Sequence, residues 1–105
     1  MLEQYLKQLG FGEKEAAIYL CIVEHGKLSA AAVSRITKIN RTTVYSVTKE
    51  LIKKQVIQED LGGTNRYYTA LPTEELRELY KKDEEELSKK KSIIEETISE
   101  LQSLP

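Results

Sequence analysis

The sequence predicts a mainly α-helical fold with one small β-hairpin, and three observations predict it. Two helical segments, residues 29–37 and 41–55, are separated by only three residues, Lys38, Ile39 and Asn40. Two short strand-like runs, residues 56–60 and 66–70, flank a glycine-containing turn over residues 61–65. From residue 73 to residue 104 the chain then carries no Gly or Pro, as a long helix requires. Helix, tight turn, helix, hairpin is the order of a winged helix-turn-helix, here followed by a long C-terminal helix.

Each element has its own justification. Leu2, Tyr5, Leu6 and Leu9 recur at helical spacing and predict one apolar stripe on a short first helix, broken at Gly10. Gly12 is a tolerable N-cap for the next helix, and Glu13 and Glu15 suit its positive end. That helix is expected to reach about His25, with Ala16, Tyr19, Leu20 and Val23 on its buried face and Gly26 as its stop. Leu28 supplies a very short first strand. Ser29 caps the next helix, whose expected buried positions are Val33 and Ile36. Asn40 caps the helix after the turn, with Val44, Val47, Leu51 and Ile52 as its apolar set. Gly62 and Gly63 offer the positive φ of a hairpin turn. Pro72 marks a break, and Thr73 is expected to cap the final helix, about 48 Å long at about 1.5 Å per residue. Tyr80, Leu87, Ile94 and Leu101 recur there every seven residues, while the companion positions 83, 90 and 97 are Asp, Lys and Thr. With Ile98, they predict a short, imperfect coiled coil that pairs two subunits.

Composition bounds the function. The 105 residues make one domain, or one domain with an appendage: residues 1–72 the winged helix, 73–105 the dimerisation helix. The net charge of −1 is unevenly spread. Residues 1–72 carry ten Lys/Arg and seven Asp/Glu, a net of +3; residues 73–105 carry six and ten, a net of −4. Within 27–66, eight basic residues face three acidic ones, leaving +5 on the helix-turn-helix and hairpin. One cysteine, Cys21, excludes an intramolecular disulfide and a cysteine metal cluster, and fits a reducing, cytoplasmic setting. The longest apolar run, 16–23, is too short to span a membrane, and the N-terminus lacks the features of a signal peptide.

The candidate nucleic-acid contacts follow from the helix faces. Opposite the apolar set, the second helix of the motif (41–55) presents Arg41, Thr42, Thr43, Ser46, Lys49 and Lys53 to the major groove. Arg reads guanine bidentately, and Thr or Ser meets base edges, thymine methyls or phosphates. Arg35 and Lys38 flank the turn as phosphate clamps, and Ser29 stands at a helix N-terminus whose free N–H groups suit an anion. The wing, 61–66, brings Arg66 to a minor groove or a phosphate, although Glu59 and Asp60 weaken that contact. The alternative reading of each is a solvated surface. Tyr45, Tyr67 and Tyr68 read as packing residues, His25 as a helix-end neighbour and Cys21 as a buried thiol. No phosphate-cradling loop, nucleophile elbow or metal-ligand spacing occurs, so an enzyme, a cofactor and a metal are not expected.

Three separated segments carry a family resemblance. They are residues 9–20 (Leu-Gly-Phe-Gly-Glu-Lys-Glu-Ala-Ala-Ile-Tyr-Leu), residues 40–54 with the core Arg41-Thr-Thr-Val-Tyr45, and Tyr68-Thr-Ala-Leu-Pro72 after the hairpin. In this order they resemble the TrmB family of archaeal and bacterial transcriptional regulators, over roughly residues 2 to 75. The resemblance implies a winged helix that binds operator DNA as a dimer, with a following helix that helps pair the subunits. It places Arg41, Thr42 and Thr43 at the start of the recognition helix and Tyr45 at a packing position. Asn40 and Gly12 depart from the family's frequent Pro and Ser/Thr at those places. Larger members carry a sugar-binding domain, whereas this chain stops after the C-terminal helix, so no effector pocket carries over. The expectation is a homodimeric regulator of double-stranded DNA, with dimer contacts from Tyr80, Leu87, Ile94, Ile98 and Leu101. The competing expectation is a winged-helix protein–protein module whose C-terminal helix engages another protein.

Overall fold

The computed structural model describes residues 1–63 and 65–105. Its elements run α1 (Leu2–Gln8), α2 (Glu13–His25), β1 (Leu28–Ser29), α3 (Ala30–Thr37), α4 (Arg41–Lys53), β2 (Ile57–Gly62), β3 (Asn65–Ala70), a 3-10 turn (Thr73–Arg77) and α5 (Glu78–Gln102). The chain divides into two compact units, Met1–Glu75 and Leu76–Pro105. The first is a winged helix-turn-helix, the second a single long helix.

The core of the first unit centres on α2, with one to three buried residues from each other helix and one from each hairpin strand. Leu6, Phe11, Ala16, Ile18, Tyr19 and Ile22 meet Val33, Val44, Leu51, Val56, Ile57 and Tyr68. Each large side chain so buried contributes about 1.5–3 kcal/mol. The Phe11 and Tyr19 rings pack 5.6 Å apart. The sheet order is β1-β3-β2, all antiparallel, with Leu28 opposite Tyr68 and Ile57 opposite Ala70. Gly62 pairs with Asn65, so both hairpin strands reach further toward the tip than the sequence predicts. Gly63 takes φ 65°, the left-handed geometry its missing Cβ permits. Thr64, which the sequence places in the turn, lies outside the described residues.

Several expected buried positions are not buried. On α1 only Leu6 reaches the core, while Leu2, Tyr5 and Leu9 are exposed. A seven-residue helix offers α2 too little length for the whole stripe. On α2 the buried face is Ala16, Ile18, Tyr19, Cys21 and Ile22; Leu20 is half-buried and Val23 lies outside. Ala30 and Val33 define the inner face of α3 and leave Ile36 exposed. On α4 the unexpected core residue is Thr48, whose hydroxyl donates to the Val44 carbonyl at 2.9 Å, so a polar side chain is buried without an unmet hydrogen bond. The final helix begins at Glu78, not at Thr73, and Arg77 takes the N-cap place without a side-chain cap.

Candidate nucleic-acid interface

The interface is assembled around the turn between α3 and α4. Ser29 caps α3 by accepting from the Ala32 N–H at 3.2 Å, and Asn40 caps α4 by accepting from the Thr43 N–H at 3.2 Å. Between them Lys38 sits in the left-handed region at φ 63°, a conformation that costs a non-glycine residue about 1–2 kcal/mol. Hydroxyls offset that strain. Ser34 donates to the Ile39 carbonyl at 2.6 Å, and Thr37 donates to the Val33 carbonyl at 2.7 Å while accepting from the Ile39 N–H at 3.3 Å. The turn is therefore held by its own side chains, which fixes where α4 emerges.

The far end of α4 is fixed as firmly. The Val56 N–H reaches the Leu51 carbonyl at 3.2 Å and the Gln55 N–H reaches the Ile52 carbonyl at 2.9 Å, the paired bonds of a Schellman motif. Gln55 supplies the left-handed residue at φ 62°, and Val56 and Leu51 bury the accompanying apolar contact. Lys54 then ties α4 to α2: its Nζ stands 3.3 Å from Glu15 Oε2, an ion pair, while Glu15 Oε1 accepts from the Gly12 N–H at 2.8 Å.

On the outward face of α4 lie Arg41, Thr42, Tyr45, Ser46, Lys49, Glu50 and Lys53; Thr43 is half-buried at its flank. Ser46 donates to the Thr43 carbonyl at 3.0 Å, leaving its oxygen as an acceptor. Tyr45 corrects the sequence expectation of a packing residue: it is 42% exposed. Its place one turn from Arg41 and one turn before Lys49 is the signal that identifies it with the outward face. A cleft of about 280 Å³ opens between α3, α4 and the hairpin, lined by Ser29, Ala31, Arg41, Tyr45, Asn65 and Arg66. Ser29 and Arg66 thus come together with the start of α4, while Arg35 and Lys38 lie exposed on α3 and the turn.

Ion pairing sorts the eight basic residues of 27–66 into two sets. Lys27 pairs with Asp60 at 3.1 Å, Lys53 with Glu50 at 3.4 Å, Lys54 with Glu15, and Arg66 Nε with Glu59 at 3.2 Å. Arg35, Lys38, Arg41 and Lys49 form no ion pair among the described residues. The four unpaired cations belong to the helix-turn-helix; the hairpin cation is neutralised in place.

The remaining sequence candidates are local. His25 Nδ1 lies 2.9 Å from the Cys21 carbonyl at the end of α2, a helix-terminal contact. Cys21 is buried, and burial, then Glu24, push its thiol above the ordinary value; burial does the same to Tyr19. Among the described residues no group of three His, Cys, Asp or Glu is placed to hold a metal, and no helix is long and apolar enough to cross a membrane. On α5, Tyr80, Leu87, Ile94, Ile98 and Leu101 are all exposed, and no residue of the helix is buried.

Comparison with known proteins fits this geometry. The fold is similar to TrmBL2, described as an archaeal chromatin protein with a novel mode of DNA binding, at a TM-score of 0.78 and 23% identity; the match covers 96% of this chain and 39% of that one. A possible transcriptional regulator from Methanosarcina mazei matches at 0.64 and 16% identity, over 85% of this chain and 80% of that one. MepR of Staphylococcus aureus, solved with DNA, matches at 0.56 and 15%, over 97% and 87%. A search of curated proteins returns no match. The sequence profile described as "Sugar-specific transcriptional regulator TrmB" matches residues 6–74, nearly the whole winged-helix unit. The chain belongs to the TrmB family of transcriptional regulators.

Proposed function

We propose that this chain is a sequence-specific regulator of double-stranded DNA that acts as a homodimer, with α4 in the major groove and the hairpin at the minor groove or the backbone. The observation that carries the reading is the set of exposed cations Arg35, Lys38, Arg41 and Lys49, without an ion pair among the described residues and gathered on one helix-turn-helix. Arg41, Thr42, Thr43 and Ser46 occupy the first turns of α4, the part that reaches deepest into a groove in this architecture. Arg35, Lys38, Lys49 and Lys53 suit phosphates on either side, and Ser29 and Arg66 line the cleft beside them. Tyr80, Leu87, Ile94, Ile98 and Leu101 are the proposed dimer contacts. Two such subunits meet successive major grooves about 34 Å apart, so the operator is a palindrome or near-palindrome.

Fluorescence anisotropy on a labelled mixed-sequence duplex, at low and moderate salt, tests the reading. Binding that weakens steeply with salt is expected, followed by enrichment of a two-fold symmetric site in selection from a random pool. No binding at low salt by a folded sample would overturn it in favour of a protein–protein module.

A further inference from the structure

The centre of α5 carries its charge in two opposite blocks. Asp83, Glu84, Glu85 and Glu86 precede Leu87; Lys89, Lys90 and Lys91 follow it. The pattern is nearly antisymmetric about Leu87: reversing the direction of the helix exchanges Asp83, Glu84 and Glu85 for Lys91, Lys90 and Lys89, and leaves only Glu86, opposite Ser88, without a basic counterpart. Within the helix, Glu85 with Lys89 and Glu86 with Lys90 have the spacing of i,i+4 pairs, worth a few tenths of a kcal/mol each. Yet among the described residues none of these seven charges forms an ion pair, and all of them are exposed.

We propose that α5 pairs with the same helix of a second copy in antiparallel orientation, in the register that sets Glu84 beside Lys91 of the partner subunit. The inference rests on the homodimer reading above and adds its polarity and register. The seam residues Tyr80, Leu87, Ile94 and Leu101 alternate with Asp83, Lys90 and Thr97. A parallel, in-register pair sets each residue against its own copy. Asp83 then meets Asp83 and Lys90 meets Lys90 inside a partly desolvated seam, where like charges are costly. Its one favourable flanking pair, Glu86 with Lys91 of the partner subunit, opposes two repulsive layers.

The antiparallel pair removes both repulsions. Tyr80 meets Thr97 of the partner subunit, Leu87 meets Lys90 of the partner subunit, and Ile94 meets Asp83 of the partner subunit. Each charged seam residue lies against an apolar one, along which the lysine stem can run while its ammonium turns outward. Lys90 stands one layer from Asp83 of the partner subunit, and the Glu84 and Lys91 pair occurs twice by symmetry. A slip of one heptad one way sets Glu84 against its own copy, and a slip the other way does the same to Lys91. Charge therefore selects one register out of three.

Cross-linking tests the proposal on the full chain. Tyr80→Cys and Thr97→Cys variants, one carrying a size tag, are mixed, equilibrated and treated with a short bismaleimide. The unsubstituted chain reports the background from buried Cys21. The expected main product is the mixed dimer joined between positions 80 and 97. In this register two copies of position 80 are seventeen residues of helix apart, about 25 Å, and are not bridged. Products joining 80 to 80 and 97 to 97 would overturn the antiparallel arrangement while leaving the dimer intact. Sedimentation as a dimer without either product would overturn the proposed pairing of α5 while leaving the dimer itself. Sedimentation as a monomer at working concentration would overturn the dimer reading and this inference with it.

Discussion

Arg41 stands at the first turn of α4, exposed and without a carboxylate partner among the described residues, and Lys49 lies two turns along the same outward face. If they divide base reading and phosphate binding, their removal has different signatures. Arg41→Ala is expected to cost about 1–3 kcal/mol of operator binding and to relax preference at one base pair. Lys49→Ala is expected to weaken binding across all sequences and lower the salt slope by about one. Anisotropy titrations over several salt concentrations separate the two. Arg66 is the opposite case, because Glu59 holds its guanidinium at 3.2 Å. Glu59→Gln is expected to free it and tighten duplex binding at low salt, by up to about 1 kcal/mol for so exposed a pair, with the gain disappearing at high salt. Buried acids predict a pH effect. The folded state holds the Cys21 and Tyr19 protons more tightly than their ordinary values of 9.0 and 10.0. Above those values the unfolded chain gives up protons that the native chain keeps, so stability falls as pH rises through 9 and 10. Urea unfolding at neutral and alkaline pH checks this, and Cys21→Ala is expected to flatten the earlier part of the decline. Much of this surface is legible in the sequence, because polar residues at helical spacing opposite an apolar set are a pattern. Tyr45 is not, because an aromatic residue suits core and surface equally, and only the packing of Val44 and Thr48 turns it outward.

The helix ends show where local chemistry is readable and where it is not. Ser29 and Asn40 are legible as N-caps because a short side-chain acceptor at that place answers an orphan N–H, and both make that bond. Gly10 is legible as a stop for the same kind of reason. Its φ of 100° completes a Schellman motif in which the Phe11 N–H reaches the Leu6 carbonyl at 3.0 Å and the Gly10 N–H reaches the Lys7 carbonyl at 3.0 Å. The end of α4 has the same bonds with Gln55 in the glycine place, so the sequence carries no stop signal and the helix reads two residues too long. Burial of Val56 against Leu51 overrides the local preference. Gln55→Gly is therefore expected to raise stability by about 1 kcal/mol, and Gly10→Ala to lower it by a similar amount. Thermal or urea unfolding of the two variants measures both. The hairpin is readable as a hairpin from Gly62 and Gly63, but its reach is not, since Leu61 and Asn65 carry no strand signature and are drawn into the ladder by the register of Tyr67 and Tyr68.

For the molecule as a whole, a net charge of −1 conceals a basic winged helix and an acidic tail, and the buried residues all fall between Leu6 and Tyr68. The first unit thus holds the complete core, while α5 extends over 25 residues with none buried. A helix with no buried face is marginal in water by itself. Its companion is expected to be another copy, so the order of the tail becomes a function of how much protein is present. On dilution, helical circular dichroism is expected to fall by part of the α5 contribution, while the thermal transition of the winged helix stays where it was. Conserved melting with constant helicity across the dilution series would mean that the tail needs no companion. The exposure of α5 then acquires a meaning for gene control. If α5 pairs two copies as proposed, occupancy of a two-fold site rises with the square of a scarce monomer, and a modest rise in synthesis moves such a site from empty to filled.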